Sequence, residues 1–365
     1  MLFLAIYLLN LAPDPTPDGQ AYLDLVRAGD PFHAQHLIYG LPLLAALKLF
    51  PQQNPVQVAG TLAAVFGAYA VGSFSFLLQR LRIPLGGVVT GALILGLGSG
   101  WMAQSTAWEV HVAAVGTVFL ACGLALGPRG RPWGSAIAMT VGILLHKTMI
   151  LALPAAFMLS LWGQERWGRR LLGMLGLTAL LGMLAYGAVG AQRLQRGQAA
   201  QNVAIELVLG ELRSEQARPV VEAPLRSARD TLPTVLLRVQ PQQRGPTSLA
   251  LCLVILGLAG AGAVQLWRRG ERRALAVLLW PSLGLPAAVA FEAFNFEYYM
   301  GPVAVLLGVG MGALRGRASW ALLSLVAGAG AWNHLELGAA GGSETPVHQP
   351  RGRDRPGPAR TPADG

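Results

Sequence analysis

Long apolar runs recur along almost the entire chain, and short arginine-rich links separate them. An apolar run of about 18–22 residues is long enough to cross the roughly 30 Å hydrocarbon core of a bilayer as a helix. Of the 365 residues, 53% are apolar and only 13% are charged, whereas soluble domains carry about 25% charged residues. The sequence therefore predicts an all-α fold, a polytopic bundle of transmembrane helices.

The order of the apolar segments predicts about eleven membrane spans. They are Met1–Ala12, Val56–Gln79, Leu85–Gln104, Val110–Gly127, Ser135–His146, Met149–Trp162, Leu171–Gly190, Ser248–Trp267, Ala274–Phe291, Pro302–Leu314 and Ala318–Trp332. Arginine clusters follow five of these segments, and the positive-inside rule places all five clusters in the cytoplasm. This alternation requires that Leu37–Phe50 forms an interfacial helix on the outer surface. It also requires that Ser135–Trp162 turns near His146 and Lys147.

The acidic residues then separate by side, since only Glu165 and Glu271 fall on the inner face. The outer face is therefore predicted to be the polar, functional one. The predicted transmembrane domain covers residues 1–335 and holds a first outer loop at 13–55 and a long outer loop at 191–247. The pattern of the long loop fits amphipathic surface helices and a solvated linker equally well. A Gly-, Pro- and Arg-rich tail at 336–365 is predicted to be disordered.

The composition excludes several classes of function. Arginines that flank membrane helices explain the net charge of +10, and basic and aromatic residues do not interleave, so we expect no nucleic-acid partner. Cys122 and Cys252 lie inside apolar segments, which gives no disulfide or CxxC metal site. The sequence contains no Walker loop, dinucleotide fingerprint, HExxH or GxSxG motif, which excludes ordinary soluble nucleotide chemistry.

Ionisable residues at the predicted outer boundary are candidates for chemistry, because charge near a bilayer is costly to keep. Asp18 could act as a general base toward an acceptor hydroxyl or hold a divalent cation, and it equally fits a helix N-cap. His33 and His36, spaced i and i+3, could bind a metal as a pair. We favour the alternative that they form hydrogen bonds at the interface.

Two candidate groups follow later in the chain. Glu109 lies in a very short outer link, where it is either a water-exposed turn residue beside a belt tryptophan or a site residue. His146 and Lys147 lie between two half-length apolar runs. The lysine could bind a lipid phosphate as a compact point charge, or it could snorkel to the interface.

A last outer turn carries Asn295, Glu297 and Tyr298 within FEAFNFEYYMGP. Acidic and aromatic side chains suit the hydroxyls and the apolar faces of a sugar. They suit an aromatic belt at the membrane surface equally well.

Taken in order, these groups resemble the GT-C superfamily of polytopic glycosyltransferases, in particular bacterial relatives of the protein O-mannosyltransferases and lipid A aminoarabinose transferases. The motifs that carry the resemblance are Asp18, HAQHLIYGLPLLAALKLF, FLLQRLRIP, WMAQSTAWEVH, GILLHKTMILALPA and NFEYYMGP. Each motif is weak alone. Their succession over roughly residues 1–335 is the specific signal.

The resemblance implies transfer of a sugar from a polyprenyl-phosphate-linked donor at the outer face of the bacterial cytoplasmic membrane. Asp18 would be the acceptor-side base or a metal carboxylate, and His146 or Lys147 would lie near the donor phosphate. The expected partners are membrane lipids and the donor lipid, and a divalent cation is the one cofactor considered. The predicted substrate-binding residues are His33, His36, Glu109, His146, Lys147, Asn295, Glu297 and Tyr298.

Two alternatives from other classes stay open. A transporter or flippase of a lipid-linked solute predicts a cavity open to both faces and charged groups near the midplane. A non-catalytic membrane scaffold predicts that Asp18→Asn and Lys147→Ala leave the cell-envelope phenotype unchanged.

Overall fold

The computed structural model of the protein describes residues 1–33, 36–126, 131–162, 166–199, 257, 260–292, 301–306 and 309. Every regular element in these ranges is helical, which confirms the predicted all-α class. The α-helices are α1 (Leu2–Leu9), α2 (Pro17–Arg27), α3 (Gly40–Leu49), α4 (Pro55–Arg80), α5 (Leu85–Leu97), α6 (Ser99–Thr106), α7 (His111–Ala125), α8 (Pro132–Leu145), α9 (Leu153–Leu161), α10 (Trp167–Gln195), α11 (Arg272–Val277) and α12 (Leu279–Glu292). A 3-10 helix covers Lys147–Ala152, and residues 260–268 and 301–306 are also helical.

The core of the bundle forms where α4, α7 and α8 pack side by side. Small residues on α7 allow this close approach. A Cβ atom added at Gly116 would lie 2.6 Å from Ala70 Cβ, and one added at Gly123 would lie 2.5 Å from Phe76 Cδ1. Small residues at helix crossings are the usual device of membrane bundles, where backbones must come close to gain packing energy.

The lengths of the described helices agree with a polytopic membrane protein. α4 has 26 residues and α10 has 29, and both are apolar enough to cross a bilayer. The predicted span Leu85–Gln104 is instead a broken pair, α5 and α6, bent by 64°. The break falls at Gly98, whose backbone leaves the helical region with ψ of 130°. The remaining described apolar helices are shorter, and the number of about eleven spans stays a prediction.

A break in helical structure lies where the turn was predicted, at His146 and Lys147. α8 ends at Leu145, and His146 takes an extended backbone conformation with φ of −154° and ψ of 119°. The 3-10 helix follows and leads directly into α9. The break in helical structure therefore carries both a histidine and a lysine.

The predicted first outer loop is folded and contains two helices. α3 begins later than the predicted Leu37–Phe50 helix, at Gly40, and packs against α2 and α4. Pro17 stands at the first position of α2, where its missing N–H costs nothing. These helices cover one end of the bundle. Residues 200–247 of the predicted long loop and the predicted tail at 336–365 lie outside the described residues.

Candidate functional site at the loop-covered end of the bundle

Four histidines from three parts of the chain meet at the end of the bundle that the first loop covers. The ring centroids of His36 and His146 are 4.6 Å apart, and those of His111 and His146 are 4.3 Å apart. His33 stacks on His36 at 5.2 Å. The loop supplies two of the rings, the first residue of α7 supplies the third, and the break after α8 supplies the fourth. We call this group the histidine cluster.

Most of the histidine cluster is buried. The exposed fractions of His36, His111 and His146 are 3%, 4% and 1%, whereas His33 is half-buried. Burial holds the pKa of His36 well below its ordinary value, and the neighbouring charges of His111 and His33 act in the same direction. His36 is therefore a neutral imidazole at neutral pH. Its Nδ1 atom has no hydrogen-bond partner within the described part of the chain.

The break after α8 holds His146 in place and positions the Lys147 cation beside the histidine cluster. The Nδ1 atom of His146 lies 3.3 Å from the Thr148 backbone nitrogen and 2.6 Å from Thr148 Oγ1. Lys147 is half-buried, and its charge also contributes to the lowered pKa of His36. Lys147 therefore supplies a cation beside the histidine cluster, and a compact ammonium of this kind attracts an anion.

A buried carboxylate, that of Glu109, precedes His111 of the histidine cluster by two residues. Glu109 lies between α6 and α7 and is only 4% exposed. The Thr16 hydroxyl donates a hydrogen bond to Glu109 Oε1 and accepts one from the Gly19 backbone N–H at 2.9 Å. The N-terminus of α2 therefore points at Glu109, and a helix N-terminus stabilises a nearby negative charge.

Close backbone contact holds α2 on the same link. A Cβ atom added at Gly19 would lie 2.6 Å from the carbonyl oxygen of Trp108. The position therefore requires glycine for a steric reason. The loop that carries Asp18 is fixed to the bundle through Thr16, Gly19 and Glu109.

Asp18 itself is exposed and lies in the first turn of α2. The N-cap of that helix is Thr16, so the interpretation of Asp18 as an N-cap is wrong. The Thr-Pro-Asp order explains the difference, since threonine is a preferred cap and proline a preferred first residue. Asp18 is left as an acid at the positive end of a helix, beside the link that holds Glu109.

Aromatic rings connect the carboxylate to the histidine cluster. Tyr39 stacks on Trp108 with 4.3 Å between centroids, and Tyr22 meets Tyr39 edge-on at 5.7 Å. Tyr22 also meets His33 at 5.6 Å and His36 at 5.4 Å. Trp108 and Tyr39 are fully buried, whereas Tyr22 is half-buried. Tyr22 and His33 are thus the two rings of this network that face outward in part.

Two arginines of α10 hold the loop from the other side. Arg193 is 6% exposed and donates to the carbonyl oxygen of Phe32 at 3.2 Å. Arg196 donates to the carbonyl oxygen of Gly29 at 3.0 Å and pairs with Asp30 at 3.3 Å. The C-terminal end of α10 is therefore tied to the loop next to His33.

The described residues contain no group of three or more His, Cys, Asp or Glu side chains placed to hold a metal ion. His33 and His36 stack with their planes 14° apart, which is a packing contact between rings. The metal interpretation of this pair therefore receives no geometric support within the described ranges.

Among three comparisons with known proteins, only the one with solved structures gives a match, and it concerns the fold. A comparison with protein-family models finds no match, and neither does one with curated proteins. The crystal structure of ArnT from Cupriavidus metallidurans bound to undecaprenyl phosphate matches 95% of this chain with a TM-score of 0.56. This chain has a GT-C-like fold. The sequence identity is 14%, and the match covers 66% of the ArnT chain, just under two thirds of its length.

The GT-C-like fold confirms the polytopic helical architecture that the motif order implied. Any assignment of a role to an individual residue rests instead on the local geometry. The structure brings His33, His36, His146 and Lys147 together and places Glu109 beside the loop of Asp18. Sequence reasoning missed four other residues of this region, namely Thr16, Tyr22, His111 and Arg193. Thr16 could have been found from the sequence, because a threonine followed by a proline predicts a helix N-cap. Asn295, Glu297 and Tyr298 lie outside the described residues.

Proposed function

We propose that this protein is a membrane glycosyltransferase. It moves a sugar from a polyprenyl-phosphate-linked donor to an acceptor at the outer face of the bacterial cytoplasmic membrane. The observation that carries the proposal is the convergence of the Thr16–Glu109 pair and the histidine cluster at one end of a GT-C-like bundle. The solved ArnT structure, which contains undecaprenyl phosphate, supports the choice of a polyprenyl phosphate as the carrier.

Such a transfer forms a bond between an acceptor oxygen and the anomeric carbon, and it breaks the bond from that carbon to the phosphate. The proton of the acceptor hydroxyl passes to a general base. We assign this role to Asp18, because it is exposed at the end of a helix that Thr16 and Glu109 hold in place. Glu109 is buried, and we assign it to positioning that helix.

The departing polyprenyl phosphate gains negative charge as the bond breaks. We assign Lys147 and His33 to this phosphate, because both are half-buried at the edge of the histidine cluster. A fixed cation in a site with little water stabilises such charge more strongly than it would in solution. Asn295, Glu297 and Tyr298 are assigned to the sugar on the grounds of their sequence pattern alone.

The proposal is tested in cells by mass spectrometry of envelope glycans and glycoproteins in a deletion strain. The strain is complemented with wild type, Asp18→Asn or Asp14→Asn. Asp14 is the matched control, since it is an exposed acid of the same loop. Wild type and Asp14→Asn should restore the missing glycan, and Asp18→Asn, at equal protein level, should not. Equal rescue by both variants would remove Asp18 from the mechanism.

A further inference from the structure

A second region with the character of a binding site lies along α9 and the first turns of α10. These two helices line a groove of about 520 Å³. This volume falls within the roughly 300–1,000 Å³ of ligand pockets. The lining is apolar and includes Phe157, Leu161, Trp162, Trp167, Leu171 and Leu175.

Basic side chains flank the groove-lining residues at the start of α10. Arg166 is exposed at the start of α10, and Arg170 follows one turn later, half-buried. Arg170 lies three residues after the groove residue Trp167, and residues three apart are neighbours on a helix surface, so Arg170 stands beside the edge of the groove. The positive-inside rule assigns the arginine-rich link between α9 and α10 to the cytoplasmic side. Its charge is positive even when Glu165, which lies outside the described residues, is counted.

We infer that the groove binds an anionic glycerophospholipid of the inner leaflet. One alkyl chain lies between α9 and α10, and the headgroup phosphate contacts Arg166 and Arg170. The charge at the mouth favours this occupant, because basic pockets between membrane helices on the cytoplasmic side bind anionic headgroups. Arginine also matches a phosphate oxygen pair with its planar fork of donors.

The site gives α10 a second anchor. Within the membrane-spanning window of this helix only 11% is buried inside the described structure. Its outer end is held by Arg193 and Arg196. A lipid at the inner end would fix the helix at both ends, and this role is independent of the glycosyl-transfer proposal.

The test uses the full-length protein, purified and stripped of lipid in detergent. Dioleoyl-phosphatidylglycerol is added, and binding is followed by native mass spectrometry and by the thermal unfolding midpoint. The variant is Arg166→Gln/Arg170→Gln. Its matched control is Arg268→Gln/Arg269→Gln, an exposed pair that does not line the groove and that the positive-inside rule places on the same side of the membrane. Leu175→Trp fills the groove without changing charge, and it keeps the test valid if the arginine variant does not fold.

Wild type and the Arg268/Arg269 control should bind equally. The Arg166/Arg170 variant and Leu175→Trp should each bind about tenfold more weakly. Dioleoyl-phosphatidylcholine and the short-chain dihexanoyl-phosphatidylglycerol should bind more weakly than the dioleoyl anionic lipid. Equal binding by the two arginine variants, or equal binding of the anionic and zwitterionic lipids, would overturn the inference. Equal binding of the short-chain and long-chain lipids would also overturn it.

Discussion

The hydroxyl of Thr16 donates a hydrogen bond to the carboxylate of Glu109, across 93 positions of sequence. This bond joins the first outer loop to the link between α6 and α7. It also places the N-terminal turn of α2, with Asp18, next to the histidine cluster. The geometry of the proposed active end of the protein therefore depends on a threonine and a buried acid.

Thr16→Val removes both the helix cap and the donor to Glu109. The expected loss in the free energy of unfolding is about 1–3 kcal/mol, because a buried carboxylate loses a partner while the helix loses its cap. Thermal unfolding in detergent measures the loss. Thr16→Ser keeps the hydroxyl and should retain most of the stability. If Thr16→Val and Thr16→Ser unfold at the same temperature, the hydrogen bond between Thr16 and Glu109 does not contribute to stability.

Gly19→Ala should displace α2 from the Trp108 carbonyl oxygen, because the added methyl group would lie 2.6 Å from that backbone atom. A cost of about 1–3 kcal/mol in stability is expected for such overpacking. Gly72→Ala is the control. Gly72 lies on an exposed face of α4 with open space around its Cα, and alanine is the better helix former. A Gly19→Ala protein as stable as the Gly72→Ala protein would contradict the close contact.

Acidification should destabilise the protein through His36. Its pKa is held well below 6.5 in the folded state, chiefly by burial. Between that lowered pKa and about 6.5 the unfolded chain binds more protons than the folded protein, so the free energy of unfolding falls as the pH falls through this window. Unfolding midpoints from pH 8 to pH 5 measure the effect. The pH dependence should be smaller in His36→Gln, and an unchanged dependence in this variant would refute the assignment.

Lys147→Gln should weaken the binding of undecaprenyl phosphate by about tenfold, because a charge-assisted contact to the phosphate is lost. Lys48→Gln is the matched control, since Lys48 is the other lysine of the sequence and lies in the last turn of α3. Fluorescence quenching with the purified lipid measures both affinities. Equal affinities in the two variants would place the phosphate away from Lys147.

The pattern of apolar runs was sufficient to predict the all-α membrane fold, because the bilayer restricts what a long apolar segment can form. The break in the helix at His146 and Lys147 was also predictable, since a polar pair interrupts two half-length runs. The bend at Gly98 was not, because glycine is tolerated inside membrane helices and the sequence does not say which glycine breaks one.

The assembly of the site was harder to predict than its position. His33 and His36 are near in sequence, but His111 reaches them only through the packing of α7 against α4 and α8. Arg193 was classed with the polar loop after residue 190, whereas α10 continues to Gln195 and carries this side chain back to Phe32. Such contacts depend on helix length and register, which periodicity leaves uncertain by a turn.

The most direct test measures the proposed bond cleavage itself. Membranes from a deletion strain supply both donor and acceptor, and purified wild type, Asp14→Asn or Asp18→Asn is added back. The account predicts that wild type and Asp14→Asn consume the polyprenyl-phosphate-linked sugar and release free polyprenyl phosphate, and that Asp18→Asn does neither. Mass spectrometry of the extracted lipids quantifies both species. Release by Asp18→Asn at the wild-type rate, or no release by wild type, would contradict the account.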